Sequence, residues 1–174
     1  EQENSTVLWM AGVAFWWLGP EATRSRELFS RSLAINPNSA IALTMAGWVE
    51  NFIGNTAKGY ELIKRAQRLS PRDKRAWLMA TSMATGCMQD RRFEEAIGWA
   101  EKALVQNPRF ASLFRILAAA HALLGNREKA ASFAQELMKV DPQSTISGLR
   151  DRVPFALNEP LWKMYSEGLR LAGL

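Results

Sequence analysis

The phrase Val-Gln-Asn-Pro-Arg-Phe (105–110) has three counterparts in this chain: Ala-Ile-Asn-Pro-Asn-Ser (34–39), Arg-Leu-Ser-Pro-Arg-Asp (68–73) and Lys-Val-Asp-Pro-Gln-Ser (139–144). Their prolines, Pro37, Pro71, Pro108 and Pro142, lie 34, 37 and 34 residues apart. Proline cannot continue a helix, and each of these closes an amphipathic stretch. A period near 34 residues, built of two helices and ended by Pro, marks a stacked repeat array. Such an array is a surface for holding other molecules, so a groove is sought before a catalytic site.

Working outward from each Pro divides the chain into units. Unit 1 (about 6–37) pairs a helix near Thr6–Leu18 with one near Glu21–Ile35, turning at Gly19-Pro20. Unit 2 (40–71) pairs Ser39–Ile53 with Ala57–Leu69 around Gly54-Asn55. Unit 3 (74–108) pairs Lys74–Cys87 with Phe93–Val105, and its turn, Met88 to Arg92, is expected to absorb three extra residues. Unit 4 (111–142) pairs Phe110–Leu124 with Arg127–Val140 around Gly125-Asn126. Glycine in these turns tolerates the left-handed backbone that ends a helix. Ser39 and Asp73 are expected N-caps. Residues 1–142 thus read as the array and 143–174 as a helical cap.

The small residues resemble those of the tetratricopeptide repeat (TPR) family, which keeps them where paired helices touch. Gly47 and Ala118 fill that site on first helices; Ala96 and Ala130, then Ala66 and Ala103, fill two on second helices. Trp77 and Phe114 occupy the large site that opens the first helix. Unit 1 departs from the pattern, with Ser25 and Ser32 in place of Ala and a turn shifted by one. The resemblance covers about Thr6 to Pro142. It implies an all-α fold: a right-handed TPR solenoid of about four helix-turn-helix repeats with a C-terminal capping helix.

The tail leaves the period. Ser144–Arg152 could form a short helix stopped by Pro154, and Asn158 could cap a last helix with Pro160 in its first turn. There Leu161, Tyr165, Leu169 and Ala172 share one stripe, suited to covering the apolar end of an array. Ser-Gly-Leu-Arg-Asp-Arg-Val-Pro-Phe (147–155) and Tyr-Ser-Glu-Gly-Leu-Arg-Leu-Ala-Gly-Leu (165–174) resemble a narrower group. In that group TPR repeats follow a bacterial class III adenylate/guanylate cyclase domain or a winged-helix domain. Ala46-Gly47-Trp48, 68–73 and 94–100 carry the same likeness. The resemblance implies a regulatory region in cyclic-nucleotide signalling; it carries over no catalysis, because no cyclase metal-binding or nucleotide-binding element can be placed here.

Composition agrees with a packed array. Hydrophobic residues make up 48%, which excludes general disorder. The charge of +5 is spread over predicted polar helix faces, so nucleic-acid binding stays the minor alternative. The apolar run Val7–Leu18 is too short to span a bilayer, and no membrane partner is expected. The lone Cys87 fits a reducing compartment, and the chain reads as a cytoplasmic piece of something longer. No phosphate loop, nucleophile elbow or metal-ligand spacing occurs. His121 and Cys87 read as packing residues. No enzymatic activity, cofactor or metal is expected.

In the TPR family the first helices line the concave face. By that likeness the partner-binding groove is expected to comprise Met10, Trp17, Thr44, Trp48, Asn51, Phe52, Arg75, Leu78 and Arg115. Ala14, Ser82, Ser112 and Ala119 are expected beside them. Met10 and Ala14 replace the Lys and Asn that clamp chaperone carboxylates in some TPR domains. An aromatic groove suits an amphipathic or apolar peptide, a second copy or an upstream domain of the same chain. The aromatic N-terminal helix predicts that Trp17→Ala and Trp48→Ala weaken association more than they lower the melting temperature.

Overall fold

The computed structural model describes residues 3–18, 21–152 and 158–174. The Gly19-Pro20 turn and the Pro154 helix stop lie outside the described residues. Four helix pairs follow in order: α1 (Ser5–Leu18) and α2 (Ala22–Ile35), α3 (Ala40–Phe52) and α4 (Thr56–Leu69), α5 (Ala76–Gln89) and α6 (Phe93–Gln106), α7 (Ala111–Leu123) and α8 (Arg127–Val140). A short α9 (Ile146–Arg152) and a last helix α10 (Glu159–Leu171) complete the chain. No strand occurs among the described residues, as the periodicity requires.

The proline phrase has one geometry in every unit. The N–H of Asn36, Ser70, Asn107 and Asp141 bonds back to the carbonyl four residues earlier and ends the second helix. The carbonyl of the same residue then accepts from Ser39, Asp73, Phe110 or Ser144, at 3.0–3.4 Å. Each Pro therefore occupies the second position of a β-turn, where its fixed φ is already correct. Ser39 caps α3 by accepting from the Ala42 amide at 3.4 Å. Asp73 instead accepts from the Arg75 amide at 2.8 Å, and α5 starts only at Ala76. The Asp73 side chain thus organises the turn before the helix rather than capping it. Two of the three extra residues of unit 3 sit in that longer link, and the third lengthens α5; the turn after it matches its counterpart in length.

Within each pair, the turn is closed by a bond from three residues past the helix end. Asn55, Arg92 and Asn126 donate to Glu50, Cys87 and His121, five residues back, at 2.8–2.9 Å. Gly54 (φ 90°) and Gly125 (φ 80°) supply the left-handed residue, and Arg91 (φ 59°) supplies it in unit 3 without a glycine. In unit 1 Glu21 donates to Phe15, six residues back. One extra residue there shifts the register, so Gly12 stands where Gly47 stands in unit 2. A Cβ on Gly12 would touch the Phe29 ring at 3.0 Å, and one on Gly47 would touch Ile63 at 2.9 Å. The expected small sites at Ala66, Ala96, Ala103, Ala118 and Ala130 are all fully buried between helices. Ser32 keeps the Ala-sized site of unit 1 by spending its hydroxyl on α1, donating to the Ser5 carbonyl at 2.8 Å.

Candidate protein-interaction site

The side lined by α1, α3, α5 and α7 is occupied. α10 crosses α7 there, and its capping residue reaches unit 2. Asn158 accepts from the Leu161 amide at 3.2 Å, and its side-chain amide donates to the Phe52 carbonyl at 2.8 Å. Gly168 is the point of closest approach. A Cβ there would lie 2.8 Å from the Ala119 carbonyl oxygen and 2.9 Å from its Cα. Leu161, Tyr165 and Leu169 are buried, as the apolar stripe of the helix predicts. They cover more than the end of unit 4: Tyr165 closes a space of only about 10 Å³ shared with Trp17, Trp48, Phe52, Thr85 and Arg115. Burial pushes the Tyr165 phenol well above its ordinary range, against the opposing pull of the nearby Arg115 guanidinium.

Beneath α10 lies a chain of stacked rings. Trp16 and Trp48 each stack on Phe52, at 5.6 and 5.8 Å, while Trp17 meets both Trp48 and Phe52 edge-on. Phe110, at the start of unit 4, bridges Trp48 and Trp77 at 6.2 and 5.0 Å. The Trp48 indole N–H donates to the Thr85 hydroxyl at 3.0 Å, which fixes the ring between units 2 and 3. Asn51 donates to the Ser82 carbonyl at 2.7 Å and tightens the same junction.

Solved structures share this architecture. A thermophilic TPR protein of Thermus thermophilus aligns with a TM-score of 0.70 over 97% of this chain and 89% of its own, at 20% identity. The fold is a TPR solenoid. Pseudomonas aeruginosa pilF aligns at 0.66 over 98% of this chain and 77% of its own, with 15% identity. MamA of Desulfovibrio magneticus RS-1 aligns at 0.61 over 81% and 77%, with 20% identity. No protein-family model matches the sequence. No curated protein matches it either.

The TPR solenoid does not gather the expected groove residues into one open surface. Thr44, Trp48, Asn51, Phe52 and Arg115 are buried; Trp17 and Leu78 are half-buried; Arg75 is exposed and pairs with Asp73 at 3.3 Å. Met10 and Ala14 leave the concave side altogether. The extra residue of unit 1 puts them at the positions of Met45 and Val49, which face the preceding second helix, and leaves both exposed. Sequence reasoning missed Glu50, now 2% exposed between units 1 and 2. Burial would push its carboxyl up, but bonds from Lys58 (3.0 Å), Arg26 (2.9 Å) and Asn55 (2.9 Å) outweigh this and hold it below the usual range. Three donors converging on one apolar helix were invisible in a linear reading.

His121 stacks on Phe133 at 5.6 Å, nearly parallel, and burial lowers its pKa. Burial pushes the Cys87 thiol up, which disfavours the reactive thiolate. No group of three potential metal ligands occurs, and no helix is long and apolar enough to cross a membrane, among the described residues.

Proposed function

We propose that this chain is a non-catalytic protein-interaction module whose concave face takes an amphipathic helix. One observation carries the reading: α10, apolar on one stripe and charged on the other, lies on that face against α7 and brings Tyr165 to the aromatic cluster of units 1 and 2. The recognition mode is helix-in-groove, with Tyr165 as aromatic anchor and Gly168 permitting close approach. The likeness of 147–155 and 165–174 to the tails of cyclase-linked TPR regions supports a regulatory role in a bacterial cytoplasmic signalling protein. An adenylate/guanylate cyclase or winged-helix domain is the parent this reading names.

The test displaces α10 and offers it back. In Gly168→Glu, a carboxylate meets the Ala119 backbone and the helix should leave its seat. A fluorescent peptide of residues 158–174 should then bind the variant and raise its anisotropy, while wild type, already occupied, binds little. A helical variant that ignores the peptide overturns the helix-in-groove reading. Turnover of a nucleoside triphosphate by wild type overturns the non-catalytic one.

A further inference from the structure

We propose that the edge of the solenoid around the Pro71 turn docks an acidic, extended segment of a partner protein. The net charge of this chain is local rather than spread. Residues 64–75 hold six cations, Lys64, Arg65, Arg68, Arg72, Lys74 and Arg75, against one acid, Asp73. That leaves +5, which is the formal net charge of the whole chain. Removing these six from the 22 bases, and Asp73 from the 17 acids, leaves 16 of each elsewhere. All six cations are exposed with α10 in its seat. Arg75 pairs with Asp73 at 3.3 Å. Arg65 donates to the Pro37 carbonyl at 2.7 Å, which carries the strip across to the preceding turn. The side chains of Lys64, Arg68, Arg72 and Lys74 have no hydrogen-bond or ion-pair partner among the described residues.

The fold does not require these charges. The turns at Pro37 and Pro142 close with the same backbone bond, and there Asn38 and Gln143 stand in place of Arg72. On the other second helices, Ser30, Glu101 and Gln135 hold the position of Lys64. Ala34, Val105 and Lys139 hold that of Arg68. Arg68 alone lies in the last turn of α4, where a positive charge favours the helix. Lys64 and Arg68, four residues apart on that helix, repel each other, and an anionic partner relieves the repulsion. The shape of the strip selects the partner. Exposed Arg109 extends it by one turn, and the neutral Asn38 and Gln143 bound it on either side. So narrow a strip fits an extended chain better than a bilayer or a duplex, which present charge over a broad face. No ring stands within 64–75 for a base to stack on, which disfavours single-stranded nucleic acid. Instead Leu69, 41% exposed, falls between Arg68 and Arg72, and Ile35, 48% exposed, lies two residues before Pro37. An apolar side chain between carboxylates would meet them, while the guanidinium forks take the carboxylates. This edge is distinct from the face that α10 covers, and the proposal does not rest on the helix-in-groove reading.

Fluorescence anisotropy on the full chain tests this. The probe is a labelled peptide, Asp-Glu-Glu-Leu-Glu-Glu-Asp, and the control is its uncharged Asn/Gln counterpart. The acidic peptide should bind, and the control should not. Binding should fade as added salt shortens the screening length from about 30 Å to about 3 Å. Arg72→Glu should weaken it ~10-fold, the scale of one lost charged hydrogen bond. Arg127→Glu makes the same change of net charge at the opposite edge and should leave the affinity nearly unchanged. Both residues are exposed, so both variants should keep the wild-type melting temperature. Three results overturn the proposal. The first is no binding at ~1 mM peptide, the range of the weakest specific contacts. The second is equal weakening in both variants, which marks attraction to net charge alone. The third is tighter binding, lost in Arg72→Glu, to an oligouridine of matched charge or to phosphatidylserine vesicles, which names a different partner. Binding of the 158–174 peptide to Gly168→Glu is read on the concave face and judges the earlier reading separately.

Discussion

Two glycines carry opposite expectations. At Gly168 an added methyl would press on the Ala119 backbone at 2.8–2.9 Å, and backbone cannot step aside as a side chain can. Gly168→Ala should destabilise by ~1–3 kcal/mol, as overpacking does. Gly98 lies exposed within α6 with nothing within 4 Å, and Gly98→Ala should stabilise by ~0.5–1 kcal/mol by restricting the unfolded chain. Urea titration of both measures the pair of signs. His121 sets a pH dependence. Its folded pKa is depressed by burial, so below its ordinary value near 6.5 the unfolded state binds more protons. The stability it contributes is present above about pH 6.5 and lost as pH falls. Melting followed from pH 7.5 to 5 should show that fall, reduced in His121→Phe. The turn prolines were legible because their geometry is local. Gly168 was not, because the Ala119 backbone that requires it is 49 residues away in sequence.

Individual helices show how far periodicity reaches. The described helices have endpoints within about two residues of those read from the sequence, because Pro, Gly and the apolar spacing act within a turn or two. α5 starts late because Asp73 bonds to the Arg75 amide and delays the helix. The apolar stripe of α10 was equally legible, but its seat was not: a stripe says that a face is buried, never against what. The aromatic residues followed from this error of place. Trp48, expected at an open groove, is 4% exposed, stacked on Phe52 and bonded to Thr85. Trp48→Ala should therefore act as a core truncation and destabilise by ~3–5 kcal/mol, visible in thermal melting. Trp17, half-buried at the margin of the same cluster, should lose less. If Trp48→Ala leaves the melting temperature unchanged, the ring does not sit where α10 covers it.

At the level of the molecule, helices of one unit pack mainly on those of its neighbours, with the Trp48–Phe110 ring contact reaching one unit further. A solenoid of that kind unfolds by fraying, since its stability is a sum of local terms. Asn158 changes this by tying the start of α10 to the Phe52 carbonyl in unit 2, 106 residues away, while Gly168 seats the same helix on unit 4. Asn158→Ala should cost ~1–2 kcal/mol through the lost cap and bond. It should also let amides of units 1 and 2 exchange before those of unit 4, where wild type exchanges them together. That same strap imposes an order in time on a newly made chain. The four pairs can form one after another as they leave the ribosome, because each needs only what was made before it. The rings of Trp17, Trp48 and Phe52 must wait, uncovered, until α10 has been translated. During that interval the nascent protein is at its stickiest, and any early stop of synthesis after unit 4 releases a folded array with its aromatic face bare.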